Sequence, residues 1–159
     1  MNDPMAVPDI DPIDRLSILA GALPGAAVGQ RRIAAPFDAV WQVIADLEHA
    51  LPRYEPGVTR VRVTERHGEF LRVLVQDVAG REDVMDARLR PGWCLMQSSA
   101  IVVAFAARRL SDRKTLLAHL EHRRAQTLEP GESESPHDAL AKIARELRAI
   151  EKLAVYPGG

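Results

Sequence analysis

Two hydrophobic periods divide this chain. Phe37, Val40, Trp41, Ile44 and Leu47 recur three and four residues apart, which predicts a helix with one apolar stripe, and Trp41 is read as part of its core face. Pro36 opens that helix where a missing N–H costs nothing, and Asp38 places a negative charge in its first turn. The preceding stretch "VGQRRIA" (28–34) reads as a first strand. The stretch "HALPRYEPGV" carries two prolines and a glycine, so the helix must break there and restart briefly at Pro52. After Gly57 the period falls to two. Three alternating runs are separated by turn signals at His67-Gly68 and Ala79-Gly80 and end at Pro91-Gly92, the pattern of antiparallel strands joined by short hairpins.

A fourth run, "WCLMQSSAIVVAFAARRL", is rich in small and β-branched residues, and its portion from Ala100 to Ala107 scarcely alternates, as expected of a strand covered on both faces. "SDRK" turns the chain into a last strand containing "LLAHLEHRR". A polar, structure-breaking linker, "LEPGESESP", follows. Leu140, Ile143, Ala144, Leu147, Ile150 and Ala154 then fall on one face of a helix from about Pro136 to Val155, with lysines and arginines opposite. The order is strand, helix pair, five strands, long helix, with no internal repeat. A meander of this kind needs one face covered, and the long carboxy-terminal helix is the element that can do it, giving an α+β fold in which a curved antiparallel sheet grips a helix.

Composition narrows the picture. A chain of 159 residues, 47% of them hydrophobic, suffices for one well-buried core, so a single domain over residues 15–156 is expected, preceded by a flexible acidic tail over 1–14 with four Asp and three Pro. A net charge of -1 with mixed signs offers no field for nucleic acid or a membrane surface. The run "LSILAGALPGAAV" follows an acidic flank, unlike an export signal, and falls short of the about 20 apolar residues of a membrane span. Cys94 is the only cysteine, which excludes an internal disulfide and fits the reducing cytoplasm. No phosphate-cradling glycine loop or dinucleotide fingerprint is present, so no cofactor is expected.

The stretch "RIAAPFDAVWQVIADLEHALPRYEPGVTRVRV" resembles the opening of the START-like superfamily, also called Bet v 1-like, SRPBCC or polyketide cyclase/dehydrase proteins. Ala35-Pro36, Val40-Trp41, Asp46, Pro52 to Pro56 and Gly57-Val58 carry the resemblance in order, and "LAKIARELRAIEKLA" resembles the family's closing helix. The resemblance implies a helix-grip fold with an apolar cavity between sheet and helix. It also implies a ligand such as a lipid, isoprenoid or polyketide, or else a cyclase, aromatase or dehydratase activity. No catalytic set is common to the family, so the resemblance names no reaction.

Candidate chemistry concentrates in the last strand. His119 and Glu121 share a face there and His122 points away, so the three cannot converge on one ion, and a lone His-Glu pair falls short of the three or four protein ligands of a zinc site; no metal is expected. Polarity would turn Leu116, Ala118 and Leu120 inward. The resemblance of "TLLAHLE" to a Thr-x-Leu-x-His-x-Glu pattern in relatives instead puts Leu117, His119 and Glu121 on the cavity side. On that reading His119 is the candidate ligand contact or general base, with Glu121 orienting its ring. A solvated strand face or a buried structural pair is the alternative.

Tyr54 in the short helix, the flexible Met85 and Met96, Trp93 at a strand start and Leu147 on the long helix complete the candidate ligand-binding set. Cys94 lacks any neighbour that would activate its thiol, and Asp77 and Asp83 flank a hairpin as hydrated carboxylates. The expected function is enclosure of an apolar small molecule by a carrier or sensor. A polyketide cyclase or dehydratase using His119 as base is the alternative, and a protein-interaction domain without ligand the third. Only 4% of residues are aromatic, which argues against extensive stacking on an aromatic guest.

Overall fold

A computed structural model describes residues 9–124 and 135–157. The chain runs α1 (Pro12–Gly21), β1 (Ala27–Ile33), α2 (Phe37–Ala45), α3 (Leu51–Tyr54), β2 (Val58–His67), β3 (Phe70–Asp77), β4 (Glu82–Arg90), β5 (Trp93–Gln97), β6 (Ile101–Ser111), β7 (Lys114–Arg123) and α4 (Pro136–Val155). The seven strands form one antiparallel sheet in the order β1-β7-β6-β5-β4-β3-β2, so the first strand returns to lie beside the last. Gly68, Gly80 and Gly92 have positive φ at the three turns marked in the sequence, a conformation that costs glycine little.

Two expectations are corrected here. The run taken as one long strand is two, β5 and β6, because Ser98 Oγ accepts hydrogen bonds from the N–H groups of Ala100 and Ile101 and turns the chain. Folded structure also begins inside the expected acidic tail. Asp11 caps α1 by accepting from the N–H of Ile13 at 2.9 Å, and Pro12 opens the helix, so acidity and proline content signalled a helix start as well as a tail. The rest of that tail, residues 1–8, and the linker 125–134 lie outside the described residues.

The sheet has two cores. On its inner face α2, α3 and α4 cover Val61, Val73, Met85, Phe105 and Leu117, with Ile143, Leu147 and Ile150 reaching down from α4. On its outer face α1 seats Ile13 and Leu16 on Val102, Ala104, Ala106, Leu116, Ala118 and Leu120. This double cover accounts for the missing alternation of β6, and it overturns the polarity argument for β7: Leu116, Ala118 and Leu120 are buried, but beneath α1.

Two features fix α4 on the inner face. Arg31 in β1 pairs with Glu151 at 2.9 Å, and Glu151 also accepts from the N–H of Ala34 at 3.1 Å. Farther along β1, Gly29 leaves room for the helix: a Cβ placed there would stand 2.7 Å from Cγ2 of Ile143. Gly29 is the register partner of His119 on β7, so this close approach of helix to sheet lies beside that histidine.

Candidate functional site

A cavity of about 620 Å³ opens between the inner face of β3–β7, α3 and the first half of α4, within the range of small-molecule sites. Its wall is apolar, formed by Leu51, Val75, Met85, Met96, Ile101 and Val103. Its polar end is built by three elements. The two-residue period of β7 sends His119 and Glu121 inward, α3 ends at Tyr54 and Glu55, and α4 lowers Lys142 and Glu146, one turn apart on the same side.

His119 is fully buried, its ring parallel to Phe105 with centroids 4.0 Å apart. Its Nδ1 lies 3.0 Å from the carbonyl oxygen of Ala104, which can only accept, so Nδ1 carries a proton. Its Nε2 lies 2.9 Å from Glu146 Oε2 and 3.1 Å from Glu121 Oε1. Burial opposes charge on this ring, but the hydrogen bonds and charges of Glu121 and Glu146 outweigh it and raise the pKa to about 9. His119 therefore sits as an imidazolium between carboxylates.

Lys142 Nζ binds Glu55 Oε2 at 2.7 Å and Glu121 at 2.8 and 3.1 Å. It also lies 2.7 Å from Glu146 Oε1, a charge contact off the direction of a hydrogen bond. Burial works against the ammonium too, and Glu121 and Glu146 hold its pKa above the ordinary lysine range. Glu121 is driven the other way: burial would raise its pKa, yet His119 and Lys142 bring it down to about 2. Glu55 is lowered as well, against burial, by hydrogen bonding with Glu146 and Lys142 and by the N–H of Gly57.

Glu146 is the exception. Burial raises its pKa to about 7, with Glu55 and Glu121 pushing the same way and His119 only partly opposing them. Two carboxylates and two cations thus balance, and the protonation of Glu146 decides whether this end of the cavity is neutral or carries one negative charge.

Among the described residues, His119, Glu121 and Glu146 offer ligand atoms within 4.8 Å of one another and are the group that could hold a metal ion. The ligand count made from sequence stopped at two because it lacked Glu146. The position facing these carboxylates is taken by the Lys142 ammonium, which a divalent ion would have to displace.

The candidate residues divide cleanly. Tyr54, Met85, Met96, His119 and Glu121 line the cavity. Trp93 does not: it lies in the outer core under α1, with Arg15 over its ring at 5.4 Å, because it occupies the odd, outward register of β5. Leu117 and Leu147 face inward but are packed between sheet and helices beyond the cavity wall. Cys94 is buried and its thiol is pushed up to about 12 by burial, so it is inert. Asp77 and Asp83 line the outer part of the cavity, where Asp77 Oδ1 accepts from the N–H groups of Ala79 and Arg81 to hold the hairpin.

Sequence reasoning missed Glu55, Lys142 and Glu146. For Glu146 a signal existed: the buried positions of α4 are Ala139, Ile143, Glu146, Leu147, Ile150 and Ala154, a continuous stripe with one acid inside it. Leu140, assigned to that stripe, is instead 46% exposed.

Comparison with solved structures decides the fold. The chain superposes on Zhui aromatase/cyclase from Streptomyces sp. R1128 with a TM-score of 0.56 at 21% identity, over 84% of this chain and 98% of that one. It also matches a START superfamily protein from Mycobacterium smegmatis, with a TM-score of 0.58 at 16% identity, over 82% and 97% of the two chains. The fold is START-like. A further match is the di-domain ARO/CYC BexL from the BE-7585A biosynthetic pathway, with a TM-score of 0.57 at 21% identity; 83% of this chain covers 48% of that one. No protein-family model and no curated protein matches the sequence. At these identities the neighbours establish the architecture and leave the chemistry to the residues of this cavity.

Proposed function

We propose that this START-like protein encloses an apolar small molecule in the cavity beneath α4, as a carrier or sensor. The observation that carries the reading is the cavity itself, about 620 Å³ of space walled by Val, Leu, Ile and Met and closed at one end by an ordered polar group. Such a wall favours a lipid, isoprenoid or polyketide-like guest through burial of apolar surface, about 25 cal/mol for each Å² removed from water. No helix among the described residues is long and apolar enough to cross a membrane. We place the protein in the cytoplasm, a reading that rests on its single, unpaired Cys94.

Native mass spectrometry of the purified protein, compared with its denatured mass, tests the reading. A retained mass in the range of a small lipid, or saturable binding of a neutral apolar dye such as Nile red, is the expected result. A clean apo mass together with no dye binding would favour an interaction domain whose cavity is never filled.

A second reading, an aromatase, cyclase or dehydratase, is favoured by one observation: a carboxyl group titrating at about 7 lines the cavity. Under that reading Glu146 is the acid or base. His119, with both ring nitrogens engaged, acts as the positioning residue instead of the base expected from sequence.

A further inference from the structure

Two buried polar atoms at the closed end of the cavity have no hydrogen-bond partner. Glu146 is 2% exposed, and its Oε1 meets Lys142 at 2.7 Å without accepting a hydrogen bond. Tyr54 is 4% exposed and lines the same cavity, and its orphaned hydroxyl stands within the fields of Glu146 and Glu55. Buried polar atoms in this state cost free energy until something pairs with them.

The side chains beside them have the chemistry and the spacing of metal ligands. Around a zinc ion with bonds of about 2.0–2.1 Å, neighbouring ligand atoms stand roughly 3.3 Å apart. His119 Nε2 lies 2.9 Å from Glu146 Oε2 and 3.1 Å from Glu121 Oε1, close to that edge length. The ring is also held as metal-binding histidines are. Its Nδ1 donates to the carbonyl oxygen of Ala104 at 3.0 Å, which turns Nε2 toward the carboxylates, and Phe105 stacks on it at 4.0 Å.

Lys142 stands where an ion would go, and it has a second berth. Glu55 holds Nζ through Oε2 at 2.7 Å, while its Oε1 is fixed by the N–H of Gly57 at 2.9 Å. The lysine side chain is one-third exposed, so it can release Glu121 and Glu146 and keep Glu55. The other cations of the cavity lie at its rim. Arg81, 84% exposed, pairs with Asp77 at 3.4 Å, and Arg123 is the exposed last residue of β7, two beyond Glu121. The ion pairs of Glu121 and Glu146 go to His119 and Lys142.

From this geometry we propose that His119, Glu121 and Glu146 form a three-ligand site for a divalent first-row cation, with Zn²⁺ suited to one imidazole and two carboxylates. On binding, Nε2 releases its proton to solvent, the ion takes Nε2 and one oxygen of each glutamate, and Lys142 moves onto Glu55. The fourth position opens on the cavity, where a bound water gives Tyr54 the partner it lacks. This site goes beyond the carrier reading and does not depend on it.

The test is a titration of untagged, full-length, chelator-treated protein with Co²⁺ at pH 7.5, read by visible d–d absorption, followed by Zn²⁺. Zinc has no such absorption and should bleach the band at one ion per chain. His119→Gln and Glu146→Gln should each lose at least about 10–100-fold in affinity. Lys142→Met should bind about tenfold tighter, because the competing ammonium and its repulsion are gone. His49→Ala, which removes an exposed histidine paired with Asp46, should change nothing. Circular dichroism checks that each variant folds.

The site is overturned by the absence of saturable Co²⁺ absorption, by binding that survives His119→Gln, or by unchanged or weaker binding in Lys142→Met. Nile red plays no part in the readout. A protein that binds the dye and no metal therefore refutes this site alone, and one that binds metal but neither dye nor retained lipid refutes the carrier reading alone.

Discussion

Replacing Gly29 by alanine tests how closely α4 must approach the sheet. The added Cβ would stand 2.7 Å from Ile143 Cγ2, whereas carbon atoms rest about 3.5–4.0 Å apart, so roughly 1 Å of separation has to be found. Ile143 cannot supply it by rotating. Its side chain is fully buried, and a β-branched residue in a helix is held to one χ1 rotamer. The strain must move α4 outward, and overpacking of this kind costs about 1–3 kcal/mol. Removing a glycine returns about 0.4–1 kcal/mol through the unfolded state, leaving a net loss of about 1–2 kcal/mol. For a chain of this size that corresponds to a fall in Tm of roughly 2–8 °C.

The assay is thermal unfolding followed by circular dichroism, with Ile143→Ala made in both backgrounds. Ile143→Ala alone leaves a cavity; in the double variant the new methyl group partly fills it, so Gly29→Ala should stabilise the Ile143→Ala protein. A Tm for Gly29→Ala equal to or above the parent's, or losses that simply add in the double variant, would refute the reasoning. Glu146 follows Ile143 by three residues and meets His119 at 2.9 Å, so the same shift should weaken Nile red binding.

Two further outcomes are expected. The pH dependence follows from the signs of the shifts. His119, raised from 6.5 to about 9, contributes stability that is complete below about pH 6.5 and lost as pH rises through 9. Glu146, raised to about 7, acts in the same direction at lower pH, and Glu121, lowered to about 2, contributes above its ordinary value of 4.5 and loses that only toward pH 2. The urea midpoint should therefore fall from pH 6.5 to 9, and a rise across that range would contradict the assignment of charges. On the opposite face of the sheet, Leu16→Ala removes a side chain that is 1% exposed and should cost about 2–5 kcal/mol in urea unfolding, with a red shift of Trp93 emission and Nile red binding retained. Loss of dye binding by a folded Leu16→Ala protein would show that the two cores are not independent.

Period and turn chemistry made the helix-grip architecture readable before any coordinates. Alternation placed His119 and Glu121 on one side of β7, and the glycine turns set the hairpins. What stayed hidden depends on contacts between elements distant in the chain. Polarity could not say which face of β7 looks inward, because α1 buries the other face just as thoroughly. Lys142 and Glu146 read as members of a solvated helix face, since Lys and Glu on a helix usually are, and only the packing of α4 against His119 turns that side of the helix inward. Trp93 was misplaced by a single step of register, which on a strand exchanges one face of the sheet for the other.

The double cover of β6 and β7 also bears on how a guest gets in. The strand that holds His119 is clamped between α1 and α4, whereas β2 to β4 have no helix on their outer side among the described residues, and α3 is a single turn. Breathing motions should concentrate where the layers are fewest, with amide exchange slowest in β6 and β7 and fastest around α3 and the β3–β4 hairpin. The doorway would then lie on the α3 side, so Tyr54 and Glu55 would move as a guest was admitted or released while His119, clamped in β7, kept its place.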